Sequence, residues 1–151
     1  MTIQSMALIG TGVMGMGIAQ IAAQAGVEVR LFDAKVGAAE AGLAKLKATL
    51  EKLQAKGKFT EEVLHETLAR FTVLNSIEDV AGVDLVVEAI IENLDIKQSL
   101  FKQLEGIVSA DTILATNTSS LSVTAIASNL EHQGRLAGFH FFNPVPLMKI
   151  V

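Results

Sequence analysis

Gly10-Thr11-Gly12-Val13-Met14-Gly15 leaves the apolar run Met6-Ala7-Leu8-Ile9 and opens onto a helical pattern from Met14 to Gln24. A glycine-rich turn between a buried strand and a helix gives each glycine a separate task. Gly10 turns the chain sharply out of the strand. Gly12, lacking a side chain, lets an anion approach the backbone, and Gly15 lets the helix pack close to the sheet. Free N–H groups and the helix dipole favour a pyrophosphate at that helix start. Gly10, Gly12, Val13, Met14 and Gly15 are therefore the expected phosphate-side residues.

The next apolar run, Val27 to Phe32, reads as a second strand and ends in Asp33, 18 residues after Gly15. At that distance an acidic residue accepts hydrogen bonds from the adenosine ribose hydroxyls. A carboxylate there also repels a 2′-phosphate, so the expected dinucleotide is NAD rather than NADP. A strand-end aspartate can equally cap the following helix.

No charged side chain occurs before Glu28. A signal peptide wants a positive start, which is missing. A membrane span wants about 20 predominantly apolar residues, and Gly10, Gly12, Gly15 and Gly17 interrupt the segment. Burial of the first strand and helix in a two-sided sheet accounts for the lack of charge, and no membrane association is expected. The 151 residues suit one domain with a sizeable core. Half are hydrophobic, mostly aliphatic, as parallel strands covered on both faces require. A net charge of −4 argues against a nucleic-acid partner. The lack of cysteine removes thiolate chemistry and is compatible with a cytoplasmic protein. His65, His132 and His140 are too scattered for a metal site, and none is expected.

Strand and helix patterns alternate along the whole chain. Leu43, Leu46, Leu50 and Leu53 form one stripe of a long helix reaching about Lys56, with Gly57 as its stop and Thr60 capping a helix that ends near Arg70. Longer than a minimal crossover, this pair over about 35–70 is expected to project as a helical arm. Strands follow at Phe71–Leu74, Asp84–Ile90, Thr112–Thr116 and Leu136–Phe141. Ser76-Ile77-Glu78-Asp79 resembles a capping box. A helix spans 93–105, and a short one starts near Ser120 or Ser122. The whole reads as an α/β, Rossmann-type doubly wound, mostly parallel sheet.

Ligands of such sheets lie beyond the carboxyl ends of the strands. Those ends carry the glycine loop, Asp33, Glu92, Asn117 to Ser120, and His140 with Asn143. Histidine ordinarily titrates near pH 6.5, the useful range for a general base. For each there is a plainer reading: His140 as a core histidine, Ser119 and Ser120 as helix caps, Glu92 as a first-turn acid.

Four segments give the chain a resemblance to the N-terminal domain of the 3-hydroxyacyl-CoA dehydrogenases: Gly10 to Ala19, Val86 to Asn93, Thr116 to Leu121, and His140 to Pro146. The last two, with His140 following Ser119 by 21 residues, are more specific than the glycine loop. The resemblance implies NAD-dependent oxidation of the 3-hydroxyl of an acyl-CoA thioester, the chemistry of fatty-acid β-oxidation. It implies His140 as the catalytic base, Ser119 as the residue hydrogen-bonding the substrate oxygen, and Asn143 as a polar residue of the nicotinamide and substrate site. Glu92 and Lys97 match positions near the nicotinamide ribose. A homodimer is implied for the intact family member.

Two departures accompany the resemblance. The family's glutamate partner of the histidine would fall one position past Val151, and the family's helical C-terminal domain is missing. The expectation is one NAD-binding domain over 1–151, weakly active or inactive alone, whose unfinished strand begins at Met148. In the helix pair, Gly42 and Thr49 stand where the family often has a serine and a lysine contacting coenzyme A. Lys45, Lys47, Lys52, Lys56 and Lys58 make that stretch basic, able to attract CoA phosphates or simply to be solvated. A related 3-hydroxyacid dehydrogenase and a non-catalytic NAD(H)-binding module are the competing readings.

Overall fold

The computed structural model describes residues 2–148. Six strands form one sheet in the order β3-β2-β1-β4-β5-β6, and every neighbouring pair is parallel. They are β1 (Ser5–Ile9), β2 (Glu28–Phe32), β3 (Phe71–Val73), β4 (Leu85–Glu88), β5 (Ile113–Thr116) and β6 (Leu136–Gly138). The crossovers carry α1 (Val13–Gln24), α2 (Ala38–Ala55), α3 (Glu61–Ala69), α4 (Leu94–Ile107) and α5 (Val123–Ala127). The expected doubly wound sheet is present, and its described strands are wholly parallel.

Side chains alternate across a strand, and both faces here are apolar. From β1, Met6 and Leu8 join Val29, Leu31 and Val87 under Ile18, Ala19 and Ala23 of α1. Ala7 and Ile9 join Val86 and Leu114 on the other face, under Phe101 and Leu104 of α4 and Ile126 of α5. Each fully buried large aliphatic contributes about 1.5–3 kcal/mol. That explains why the central strands read as unbroken hydrophobic runs.

The expected leucine stripe is the inner face of α2. Leu46 and Leu50, with Leu64 of α3, bury against the α1 side of the core. The helix pair is thus an outer layer seated on α1, with the opposite face of α2 in solvent. Thr60 caps α3 by accepting the Val63 N–H at 3.2 Å, and Gly57 takes the left-handed conformation (φ 77°) that stops α2.

Three local expectations are corrected. The Ser76 segment is not a capping box but a 3-10 turn, Ile77–Val80, and the Ser76 hydroxyl bonds the Glu78 carboxylate instead of a backbone N–H. β4 stops at Glu88, because the Ile90 N–H turns back to the Glu88 carboxylate at 2.7 Å. β6 stops at Gly138, three residues short of Phe141, because β5 has already turned away. The strand expected from Met148 onward runs into residues 149–151, outside the described ones.

Candidate cofactor and active site

The carboxyl ends of β1, β2, β4 and β5, with the segment after β6, converge on one edge of the sheet. The order reverses between β1 and β4, so the crevice lies at this switch point. Gly10 has φ +100°, and a Cβ on it would stand 2.5 Å from the Ala89 carbonyl oxygen. A Cβ on Gly15 would stand 1.9 Å from the Gly10 carbonyl oxygen. The first and third glycines are therefore pressed against each other. Gly12 differs: a Cβ there meets nothing within 4 Å, so its α-carbon faces open space.

Gly12 is also the N-cap of α1, whose first turn holds neither a capping side chain nor an acid. Among the described residues no side chain caps the N–H groups at this end, which leaves them open to an anion. Val13 is exposed there, whereas the Met14 side chain packs against the core and offers only its backbone to the crevice.

Asp33 does not cap α2; Gly37 does. Its Oδ2 accepts from the Thr11 N–H and hydroxyl, both at 2.8 Å, and its Oδ1 accepts from the Lys35 N–H at 2.9 Å. Partial burial pushes this carboxyl up, but the Thr11 and Lys35 bonds outweigh it and hold it below the ordinary aspartate value. Beside it opens a cleft of about 530 Å³ whose walls include Phe32, Ala89, Ile90, Ile96 and Leu100. A second cleft, about 660 Å³, shares Thr11 and Gly12 with the first and runs to Asn143, Lys35 and Lys45.

At the end of β4 lies a buried charge cluster. Lys97 on α4 is fully buried, with Nζ 2.8 Å from Glu88 Oε2 and 2.7 Å from Glu92 Oε1. Glu88, also fully buried, accepts from the Thr116 hydroxyl at 2.5 Å and from the Ile90 N–H. Glu92 Oε2 accepts from the hydroxyls of Thr118 (2.9 Å) and Ser120 (3.0 Å) and from the Ser119 and Ser120 N–H groups (3.3 and 3.4 Å). Glu92 is accordingly no first-turn acid: Asn93 caps α4, and Glu92 ties the 118–120 loop to Lys97. Ser119 and Ser120 cap no helix either, since Ser122 caps α5.

Burial pushes the Glu92 carboxyl up, yet Lys97, Thr118 and Ser120 reverse this and lower it to about 2. A carboxylate depressed in the folded state stabilises it above the unfolded value of 4.5. That contribution is lost as pH falls from there through about 2. Melting temperatures of the parent chain and Glu92→Gln are therefore expected to differ at pH 6 and to converge as the pH approaches 2. A pH-independent gap would show that the Glu92 charge contributes nothing.

His140 and Asn143 are exposed on the segment following β6. The His140 ring lies edge-on to Phe142, centroids 4.9 Å apart, and makes no hydrogen bond among the described residues. This segment reaches α1 because Gly17 admits it: a Cβ there would stand 2.8 Å from Val145 Cβ. Glu92 touches both Lys97 and the Ser119 N–H; Asn143 reaches the glycine loop only across the second cleft. The strand-end reading covers Thr11, in the glycine loop, and Thr118, in the 117–120 stretch, but assigns no site role to Glu88 or Thr116. Glu88 carried a signal, being the one charge in an otherwise apolar strand, since a buried charge requires a partner.

A parallel sheet of this order, with a glycine turn at its switch point and an acid ending the second strand, defines a dinucleotide-binding domain. The chain belongs to the family "3-hydroxyacyl-CoA dehydrogenase, NAD binding domain", whose profile matches residues 5–151. It is 45% identical over 151 residues to a probable 3-hydroxybutyryl-CoA dehydrogenase of Bacillus subtilis (strain 168), covering all of this chain and 53% of that protein. It is 43% identical to 3-hydroxyadipyl-CoA dehydrogenase of Escherichia coli (strain K12), covering 99% of this chain and 31% of the relative. A crystal structure of 3-hydroxybutyryl-CoA dehydrogenase from Escherichia coli K12 superposes with TM-score 0.96 at 42% identity, over 99% of this chain and 32% of that one. The chain thus spans about a third to a half of these relatives' length. Its cofactor is NAD, and the open space at Gly12, the uncapped N–H groups of α1 and the Asp33 carboxylate fit that group. No described helix is long and apolar enough to cross a membrane.

Proposed function

We propose that this chain is the cofactor-binding part of an NAD-dependent enzyme that oxidises the 3-hydroxyl of a 3-hydroxyacyl-CoA to the 3-oxo thioester, as in fatty-acid β-oxidation. The observation that carries the reading is the meeting of the glycine loop, Asp33, the Glu92–Lys97 cluster and the His140 segment at one sheet edge. The names of the relatives supply the substrate class. NAD, when bound, accepts the hydride from C3.

The chain's own residues do the rest. The turn that Gly10 and Gly15 shape receives the pyrophosphate on the backbone of Gly12, Val13 and Met14, and Asp33 receives the adenosine ribose. Glu92, held by Lys97, orients the 118–120 loop beside the nicotinamide ribose. The Ser119 hydroxyl donates to the substrate 3-oxygen and stabilises the charge developing there. His140 takes the hydroxyl proton, and Asn143 positions nicotinamide and substrate. A helical domain outside this chain closes over the acyl group and forms the homodimer, and the protein works in the cytoplasm.

NADH binding is the direct test, because the chain has no Trp or Tyr to obscure nicotinamide fluorescence. Saturable binding is expected, with NADPH weaker. Asp33→Ala loses charge-assisted hydrogen bonds of about 1.5–3 kcal/mol, so NADH affinity drops about 10- to 100-fold. Equal affinity of the parent for both cofactors would remove Asp33 from its role. Acetoacetyl-CoA reduction should appear once the helical half of a relative is added in trans, and vanish with His140→Asn. Binding without turnover under those conditions would favour a non-catalytic NAD(H) module.

A further inference from the structure

The backbone pairing of β6 ends early, yet the His140 segment stays in place. The last backbone rung runs from the Phe139 N–H to the Thr116 carbonyl at 2.8 Å. In a parallel ladder the next inward N–H, that of Phe141, calls for the carbonyl two residues beyond Thr116. The neighbouring chain has by then turned into the serine loop, where the Thr118 hydroxyl donates to Glu92 and accepts the Leu121 N–H. The Asn117 side chain fills the gap: its Oδ1 accepts the Phe141 N–H at 2.9 Å. The Asn117 N–H itself donates to the Glu88 carbonyl at 2.9 Å, so the residue is anchored to β4. A backbone N–H can only donate, which fixes the amide orientation with oxygen toward Phe141.

The rung has a directional effect. Phe139 and Phe141 pack on the core, edge to face with centroids 6.4 Å apart. His140, between them, is exposed on the opposite side, as alternation along an extended chain requires.

We infer that Asn117 is a positioning residue for His140: its side-chain carbonyl extends the sheet one rung past β6 and holds the backbone on both sides of the imidazole. The catalytic meaning rests on His140 being the proposed base; the rung does not.

Amide hydrogen exchange and His140 ring signals, followed by NMR on the 151-residue chain, test it. In the unsubstituted chain the Phe141 amide should exchange at least about 10-fold more slowly than that of Phe142, which has no hydrogen-bond partner among the described residues. Asn117→Leu keeps the shape and removes the acceptor. It should abolish that protection and shift the His140 ring resonances, while Asn117→Asp, which retains an acceptor, restores both. Equal exchange of the two amides in the unsubstituted chain, or protection surviving in Asn117→Leu, would overturn the inference. If the leucine variant does not fold, the unsubstituted chain and Asn117→Asp still decide. If Asn117→Leu loses the rung as expected but His140→Asn keeps full acetoacetyl-CoA reduction with the helical half added in trans, the base assignment alone fails.

Discussion

Gly15→Ala is expected to cost about 3 kcal/mol or more, the upper range for overpacking. In a chain of this size that lowers the melting temperature by roughly 6–12 °C. The reason is the 1.9 Å between a Cβ at this position and the Gly10 carbonyl oxygen. Neither side can yield cheaply. Gly10 already sits at φ +100° against the Ala89 carbonyl, and its own N–H is bonded to the Phe32 carbonyl at 2.9 Å. α1 cannot retreat without uncovering Ile18 and Ala19. Gly12→Ala is the contrasting arm. A methyl group there meets no atom within 4 Å among the described residues, so the melting temperature should hold while NADH affinity falls at least about 10-fold. Thermal unfolding and cofactor titration of both variants separate the two roles. A Gly15→Ala chain melting like the parent, or a Gly12→Ala chain binding NADH like the parent, would refute the corresponding assignment.

Lys97→Met is expected to be comparably severe. Breaking a buried ion pair by removing one partner costs about 3–5 kcal/mol, because the remaining charge is stranded. Here two carboxylates, from Glu88 and Glu92, lose their shared cation. The damage also reaches the proposed active site, since Glu92 is the common acceptor for the 118–120 loop. Denaturant unfolding should show the loss, and adding Glu88→Gln should recover part of it, as removing both charges is milder than removing one. A cost below about 1 kcal/mol for Lys97→Met would mean the cluster is better solvated than its burial indicates.

Much of the fold was legible because the local signals agreed with one another. Apolar runs of strand length alternate with helical stripes, and Gly57, Thr60 and Ser122 mark helix ends by residue type. The corrections come from contacts that residue type alone does not carry: Glu78 taking the Ser76 hydroxyl, the Ile90 N–H folding back onto Glu88, and β5 leaving β6 after Thr116. Ser76 has the spacing of a cap, but only a 3-10 turn follows and Glu78 takes its hydroxyl. Leu136 to Phe141 has the composition of a strand, but its partner leaves after Thr116. The buried cluster was half visible. Glu92 and Lys97 are matched by the resemblance, whereas the Glu88 partners come from the parallel register that sets Glu88 beside Thr116. Asn117 is visible in the sequence only as part of the 117–120 strand-end stretch, because its task exists only once β5 and β6 are paired.

The strand order also bears on how the chain is made. β1 is synthesised first and ends at the centre of the sheet, Met6 beside Val29 on one side and Leu85 on the other. At ribosomal rates of about 5–20 residues per second, roughly 4–16 s pass between the emergence of Met6 and that of Leu85. Through that interval one edge of an uncharged, aliphatic strand stays unpaired, the kind of edge that recruits other chains. Yield in the cell is therefore expected to respond to translation speed and to holding chaperones while residues 6–85 emerge.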